Sequence, residues 1–142
     1  MGAYKGGASY YHRISENVTT VSHFYSYKDG YFGGKSKSKD NYVRIIESEN
    51  PLSTAKDFYD KIGYGGIEKP LKGGKGYTTK MEDGTILTYR PISSSDGSPA
   101  VEINIKGSDS HGKLKSQKIH FTEAKQWKKT IIDMIKACIK VL

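Results

Sequence analysis

A single cysteine, Cys138, excludes an intrachain disulfide and any zinc site built from cysteines. Long apolar runs are missing too. No segment is long enough to cross a membrane as a helix, and the opening "MGAYKGGASYYHR" lacks the apolar stretch of a secretory signal. The same opening lacks the Ser or Thr at position 6 that N-myristoylation requires. If the domain leaves its cell, attachment to something larger is expected to carry it. Acidic residues are scarce, 15 against 23 Lys and Arg, leaving a net charge of +8. That balance favours an anionic partner, whether nucleic acid, a membrane surface or an acidic protein. It selects none of them, because the charge is spread along the whole chain.

Local metal and nucleotide motifs are also absent. The histidines form no H-E-x-x-H or H-x-x-x-H pair, and the acidic residues have no calcium-loop spacing. No G-x-S-x-G turn of a Ser-His-Asp hydrolase occurs. The basic glycine-rich "KPLKGGKG" has neither the spacing nor the terminal Lys-Ser/Thr of a Walker loop. No metal and no cofactor are therefore expected.

What remains is enough for one folded domain. The 142 residues can bury a single core, and 35% hydrophobic against 27% charged residues is not the composition of a disordered tail. Residues 1–40 hold half of the aromatic residues but are broken by "KGG", "KDG" and "FGGKSKSKD". They read as an aromatic, glycine-rich segment, a hairpin turning at Asp29-Gly30 and then a linker. The main domain is expected to span 41–142. There a short strand, "NYVRIIE", precedes a helix in "NPLSTAKDFYDKIGYGG". Ser53 or Thr54 can cap that helix, and Ala55, Phe58, Tyr59 and Ile62 lie on one side of it.

From Tyr77 onward strands follow one another: "GYTTKM", the turn "EDG", "TILTYRP", the loop "ISSSDGSP", "AVEINIK" and "SQKIHF". In the last two, Val101, Ile103, Ile105, Ile119 and Phe121 point to one face, and Glu102, Asn104, Lys106, Lys118 and His120 to the other. The closing "TEAKQWKKTIIDMIKACIKVL" places Trp127, Ile131, Met134, Ile135, Cys138 and Leu142 on a helical stripe. Such a stripe is expected to pack on the sheet, with Cys138 as a small core residue. The fold class is α+β: an N-terminal helix, an antiparallel four-stranded meander sheet and a C-terminal packing helix.

The polar face of the meander carries the groups that chemistry would need. Cleaving RNA without a metal requires a base for the ribose 2′-hydroxyl, an acid for the departing 5′ oxygen, and fixed cations around the phosphorus. His120, inside a strand between two core residues, is the acid or base, since imidazole titrates near working pH. Lys118 and Arg90 can hold phosphate, and Glu102 is either the base or the group that orients His120. Ser93, Ser94, Ser95 and Asp96 form a polar loop able to grip a nucleotide, and Asn104, Lys106 and Lys75 complete the substrate-binding set. A solvent-facing sheet side ordinarily carries Glu, Asn, Lys and His as well, so the alternation by itself is not a catalytic signature. His12, His23 and His111 read as surface residues.

The runs "NPLSTAKDFYDKIGYGGIEKPL", "GKGYTTKMEDGTILTYRPISSSDGSPAVEINI" and "KSQKIHF" resemble, over roughly residues 41–122, the C-terminal toxin modules of bacterial polymorphic toxins, including those of LXG and related secreted proteins. The order of helix and meander, with a histidine on a late strand, is also similar to the barnase, EndoU, colicin and RelE group of ribonucleases. The helix after Glu123 departs from that plan. The resemblance implies a secreted endoribonuclease toxin domain, carried by a larger effector and acting in the cytoplasm of a competitor cell on tRNA or other RNA. It further implies a cognate immunity protein, expected to be acidic, no membrane insertion by this domain, and His120 as the leading catalytic residue. Two other readings stand beside it: a noncatalytic basic module binding nucleic acid or protein, and a metal-dependent DNase toxin.

Overall fold

The computed structural model describes residues 13–106, 113–124 and 126–141; His12 and His111 lie outside the described residues. The chain runs α1 (Ile14–Val21), β1 (Tyr27–Lys28), β2 (Tyr31–Phe32), β3 (Gly34–Lys35), β4 (Val43–Ser48) and α2 (Pro51–Ile62). It continues through β5 (Ile67–Pro70), β6 (Tyr77–Lys80), β7 (Ile86–Arg90), β8 (Ala100–Asn104), β9 (Gln117–Glu123) and α3 (Gln126–Val141). The class is α+β, with a mostly antiparallel sheet.

The sheet is larger than the four strands expected. Seven strands pair in the order β3-β4-β9-β8-β7-β6-β5. The meander gains β5, because Ile67–Pro70 pairs antiparallel with β6, taking the first two residues of "KPLKGGKG" into the sheet. It gains a parallel neighbour because β4, expected as an isolated strand, aligns Val43–Ser48 with Lys118–Glu123. Local alternation marks a strand but does not reveal a partner some seventy residues away, and only tertiary packing fixes such a pairing.

One face of the sheet is covered by α2. Asn50 caps this helix, its Oδ1 accepting from the Ser53 amide at 3.3 Å, and Pro51 occupies the first turn, so the cap lies upstream of the expected Ser53 or Thr54. Ala55, Phe58, Tyr59 and Ile62 are fully buried on its inner side, as their spacing predicts. Phe58 sits among the rings of Tyr25, Phe32 and Phe121, with centroids 5.2, 5.1 and 5.7 Å away.

The described part of the first forty residues joins this core through Ile14, Val21 and Phe32. Residues 14–21 form a helix where the sequence suggested only hairpin and linker. The buried Asn17 ties it to the end of α2, its amide donating to the carbonyls of Ile62 (2.9 Å) and Tyr64 (2.8 Å). The Asp29-Gly30 hairpin is present, pairing Tyr27 with Phe32 and Lys28 with Tyr31. Both turn residues have positive φ (54° and 87°), the requirement of a type I′ turn.

The closing helix departs from expectation. Ile131, Met134, Ile135 and Ile139 are 47%, 63%, 54% and 65% exposed, and Cys138 is exposed rather than a core residue. The reason lies in the sheet. The apolar face of the sheet is already taken by α2, and the opposite face mixes Arg90, Glu102, Asn104 and Lys118 with Ile45, Ile86 and Ala100, so it offers α3 no continuous apolar surface. Among the described residues no helix is long and apolar enough to cross a membrane.

Candidate active site

The site lies on the sheet face opposite α2. On β9, Ile119 and Phe121 are fully buried toward α2, so the period of two sends Lys118 and His120 to the other side. His120 is nevertheless only 7% exposed. The loop 91–99 between β7 and β8 folds over the sheet and closes on the imidazole.

Asp96 organises that closure. Its Oδ1 accepts from the Ser93 hydroxyl (2.9 Å), the Ser98 amide (3.0 Å) and the Ser98 hydroxyl (2.6 Å), and lies 3.3 Å from His120 Nδ1. Ser98 Oγ is itself 2.9 Å from the same ring nitrogen. A hydroxyl has one proton to give. The short bond to the carboxylate takes it, so Ser98 Oγ accepts from His120 and Nδ1 carries the hydrogen. Nε2 of the neutral ring is then the basic nitrogen, available for proton exchange.

The same geometry rules out a serine nucleophile at this position. In a Ser-His-Asp triad the serine and the carboxylate engage opposite ring nitrogens, whereas Ser98 and Asp96 share Nδ1. Ser98 is part of the orienting shell.

The charges are tuned in opposite senses. Partial burial works to raise the Asp96 carboxyl, but the hydrogen bonds from Ser98 and Ser93 and the nearby imidazole outweigh it and hold the group at about 2. For His120, burial is the largest influence and lowers its pKa below the ordinary value. Attraction to Asp96 opposes this, and repulsion from Lys118 adds to it. The net result is an imidazole that is neutral at pH 7 beside a carboxylate that stays ionised.

Cationic groups adjoin the pair. Arg90 pairs with Ala100, and Ala100 with His120, so the three residues form one rung across β7, β8 and β9 and share a face. A cleft of about 600 Å³ opens at the end of β7, lined by Arg90, Lys75, Pro91, Ile92, Ser93 and Ser94. Ser93 therefore both borders the cleft and bonds the carboxylate that holds His120. Glu102 and Lys118 face each other on the next rung of that face, two residues from Ala100 and His120.

The expected residues thus divide. Arg90, Lys75 and Ser94 line the cleft, Asp96 and His120 are linked to it through Ser93, and Lys118 and Glu102 stand one step along the strands. The carboxylate that orients the imidazole is Asp96 and not Glu102. Ser95 is exposed on the loop and does not line the cleft. Asn104 lies four residues from Ala100 on β8, about 13 Å along the strand, and Lys106 lies beyond it, so neither is brought to His120. Ser98 is the site residue that sequence reasoning missed. Its signal was "SDGSP": an Asp two residues before a Ser, with Gly97 between them at φ 79°, is the local pattern of a side chain that caps its own turn. Among the described residues no group of three His, Cys, Asp or Glu side chains is arranged to hold a metal ion. His23 is exposed.

No family model, curated protein or solved structure matches this chain.

Proposed function

We propose that the domain is an endoribonuclease toxin that cleaves RNA by metal-independent acid–base catalysis. One observation carries the reading: a nearly buried, neutral His120, its Nδ1–H held by Asp96 and Ser98, shares a rung of the sheet with Arg90, which with Lys75 lines a mainly apolar cleft. In this reading His120 Nε2 removes the proton from a ribose 2′-hydroxyl. The resulting O2′ attacks the adjacent phosphorus, the bond to the 5′ oxygen breaks, and a 2′,3′-cyclic phosphate and a 5′-hydroxyl are released. Arg90 and Lys118 stabilise the charge that builds on the phosphoryl oxygens, Arg90 through the paired donors of its guanidinium. The departing 5′ oxygen takes a proton from water or from the protonated His120, which in the former case gives its own proton to solvent.

The resemblance to polymorphic toxin modules supports the biological half of the reading: delivery by a larger secreted effector, action in the cytoplasm of a rival cell, and neutralisation by an acidic immunity protein. The net charge of +8 agrees with both an RNA substrate and an acidic inhibitor.

A pair of oligonucleotides tests the chemistry. Ordinary RNA should be cut to fragments ending in a cyclic phosphate, and the same sequence with 2′-O-methyl riboses should stay intact. Equal cutting of both would rule out attack by the 2′-hydroxyl, and cutting of neither would leave a noncatalytic binding module.

A further inference from the structure

On another part of the surface, three stretches distant in sequence converge on a second and larger cleft of about 870 Å³. The hairpin supplies Lys28 and Tyr31, the start of β4 supplies Asn41 and Arg44, and the approach to β9 supplies Lys113 and Lys115. We propose that this cleft is a second nucleic-acid contact, in which single-stranded RNA lays phosphates against the three lysines and a base against Tyr31. Its identity as RNA rests on the ribonuclease reading; its chemistry does not.

Arg44 is the scaffold. Its Nε donates to the Phe32 carbonyl (3.1 Å), Nη1 to the Asn41 carbonyl (3.2 Å) and Nη2 to the Gly33 carbonyl (2.9 Å), so three of its five N–H donors, one on each nitrogen, anchor it to backbone. From that fixed position its guanidinium lies 4.9 Å from the centre of the Tyr31 ring. Lys115 Nζ lies 5.2 Å from the same centre. The aromatic ring is thus set in place by a cation that is not free to leave, while an exposed lysine beside it can exchange the ring for a phosphate.

The hairpin is docked as firmly as the guanidinium. Gln117, 2% exposed, donates from Nε2 to the carbonyls of Gly30 (2.9 Å) and Lys115 (2.7 Å), and its Oε1 accepts from the Phe32 amide (2.8 Å). The Lys115 amide donates to the Gly30 carbonyl at 3.1 Å. Gly30 is required there, because a Cβ would stand 2.2 Å from the Lys113 oxygen. Fixed walls, an aromatic side chain and an excess of lysine over the one carboxylate in the lining, Asp29, are what a single-strand groove needs. Arg44 pairs with Ile119, which faces α2, so the cleft lies on the side of the sheet opposite His120 and is a contact separate from the cleavage site.

The test is fluorescence anisotropy with a labelled uridine dodecamer, in excess EDTA and in a His120→Ala background so that nothing is cut. Replacing Lys28, Lys113 and Lys115 together by Ala should weaken binding at least about tenfold and reduce the slope of log K against log salt by about 2. Tyr31→Ala should weaken it about fivefold or more, with circular dichroism confirming that the variants fold. Unchanged affinity and slope in the triple variant overturn the proposal, even if the parent chain cuts RNA. Weakened binding in both variants supports it, even if the parent cuts nothing. Poly-glutamate binding as tightly as RNA, with equal sensitivity to Tyr31→Ala, would assign the cleft to an acidic polypeptide and overturn the RNA contact.

Discussion

Asp96 Oδ1 stands 3.3 Å from His120 Nδ1, and Ser98 Oγ bridges them, 2.6 Å from the carboxylate and 2.9 Å from the ring. An ionised acid thereby fixes both the tautomer and the orientation of a nearly buried base. The consequences can be measured one at a time.

Asp96→Asn keeps the shape and removes the charge. Cleavage should fall by between about tenfold and 10⁴-fold with substrate affinity less affected, since an orienting carboxylate acts mainly in the transition state. Circular dichroism and the denaturant midpoint separate this from a general loss of folding, which would also lower kcat at unchanged KM.

The pH profile should move in opposite directions in two variants. A base works when unprotonated, so activity rises with pH through the His120 pKa, which burial holds below the ordinary value. Asp96 raises that pKa, and its removal should shift the rising limb to lower pH. Lys118 lowers it, and Lys118→Met should shift the limb to higher pH, even though the absolute rate falls.

Acid should destabilise the fold through the same pair. His120 has a folded pKa below its unfolded one, so in the window beneath about 6.5 the unfolded chain binds more protons and stability falls as pH falls. Asp96, at about 2 when folded, adds a second loss below about 3.9. Urea midpoints measured from pH 7 downward should therefore decline, and His120→Gln should flatten the upper part of that decline.

Phe58→Ala should cost about 3–5 kcal/mol in denaturant unfolding, because it empties the centre of an aromatic cluster fed by α2, β2 and β9. The contrast is α3. Ile135→Gln or Ile139→Gln should change stability by less than about 0.5 kcal/mol, as expected for exposed positions. A loss of several kcal/mol there would mean that the helix is covered.

What could be read from the sequence was the local pattern. The inner face of α2, the Asp29-Gly30 turn and the opposed faces of β8 and β9 all follow from periods of 3.6 and 2 and from turn chemistry. Pairings between distant segments could not be read this way. The β4–β9 pairing joins segments with no local relation, and the fate of the α3 stripe depended on whether an apolar surface was left to meet it. The site divided along the same line. His120 was conspicuous as a polar residue between core positions, whereas Arg90 was noted only as the end of its own strand and is put on the same face by the β7–β8–β9 register. Asp96 was taken for a nucleotide grip, because its role depends on how the loop 91–99 folds back over the sheet. Asn104 and Lys106 had the right face but the wrong distance along the strand.

The most direct test incubates the purified domain with total bacterial RNA in excess EDTA, beside a His120→Ala chain shown by circular dichroism to be folded. Discrete RNA fragments from the wild type, and at least about 100-fold less cleavage by His120→Ala, are the expected result. Intact RNA in both samples, or cleavage that survives His120→Ala or appears only when magnesium is restored, would contradict a metal-independent ribonuclease centred on His120.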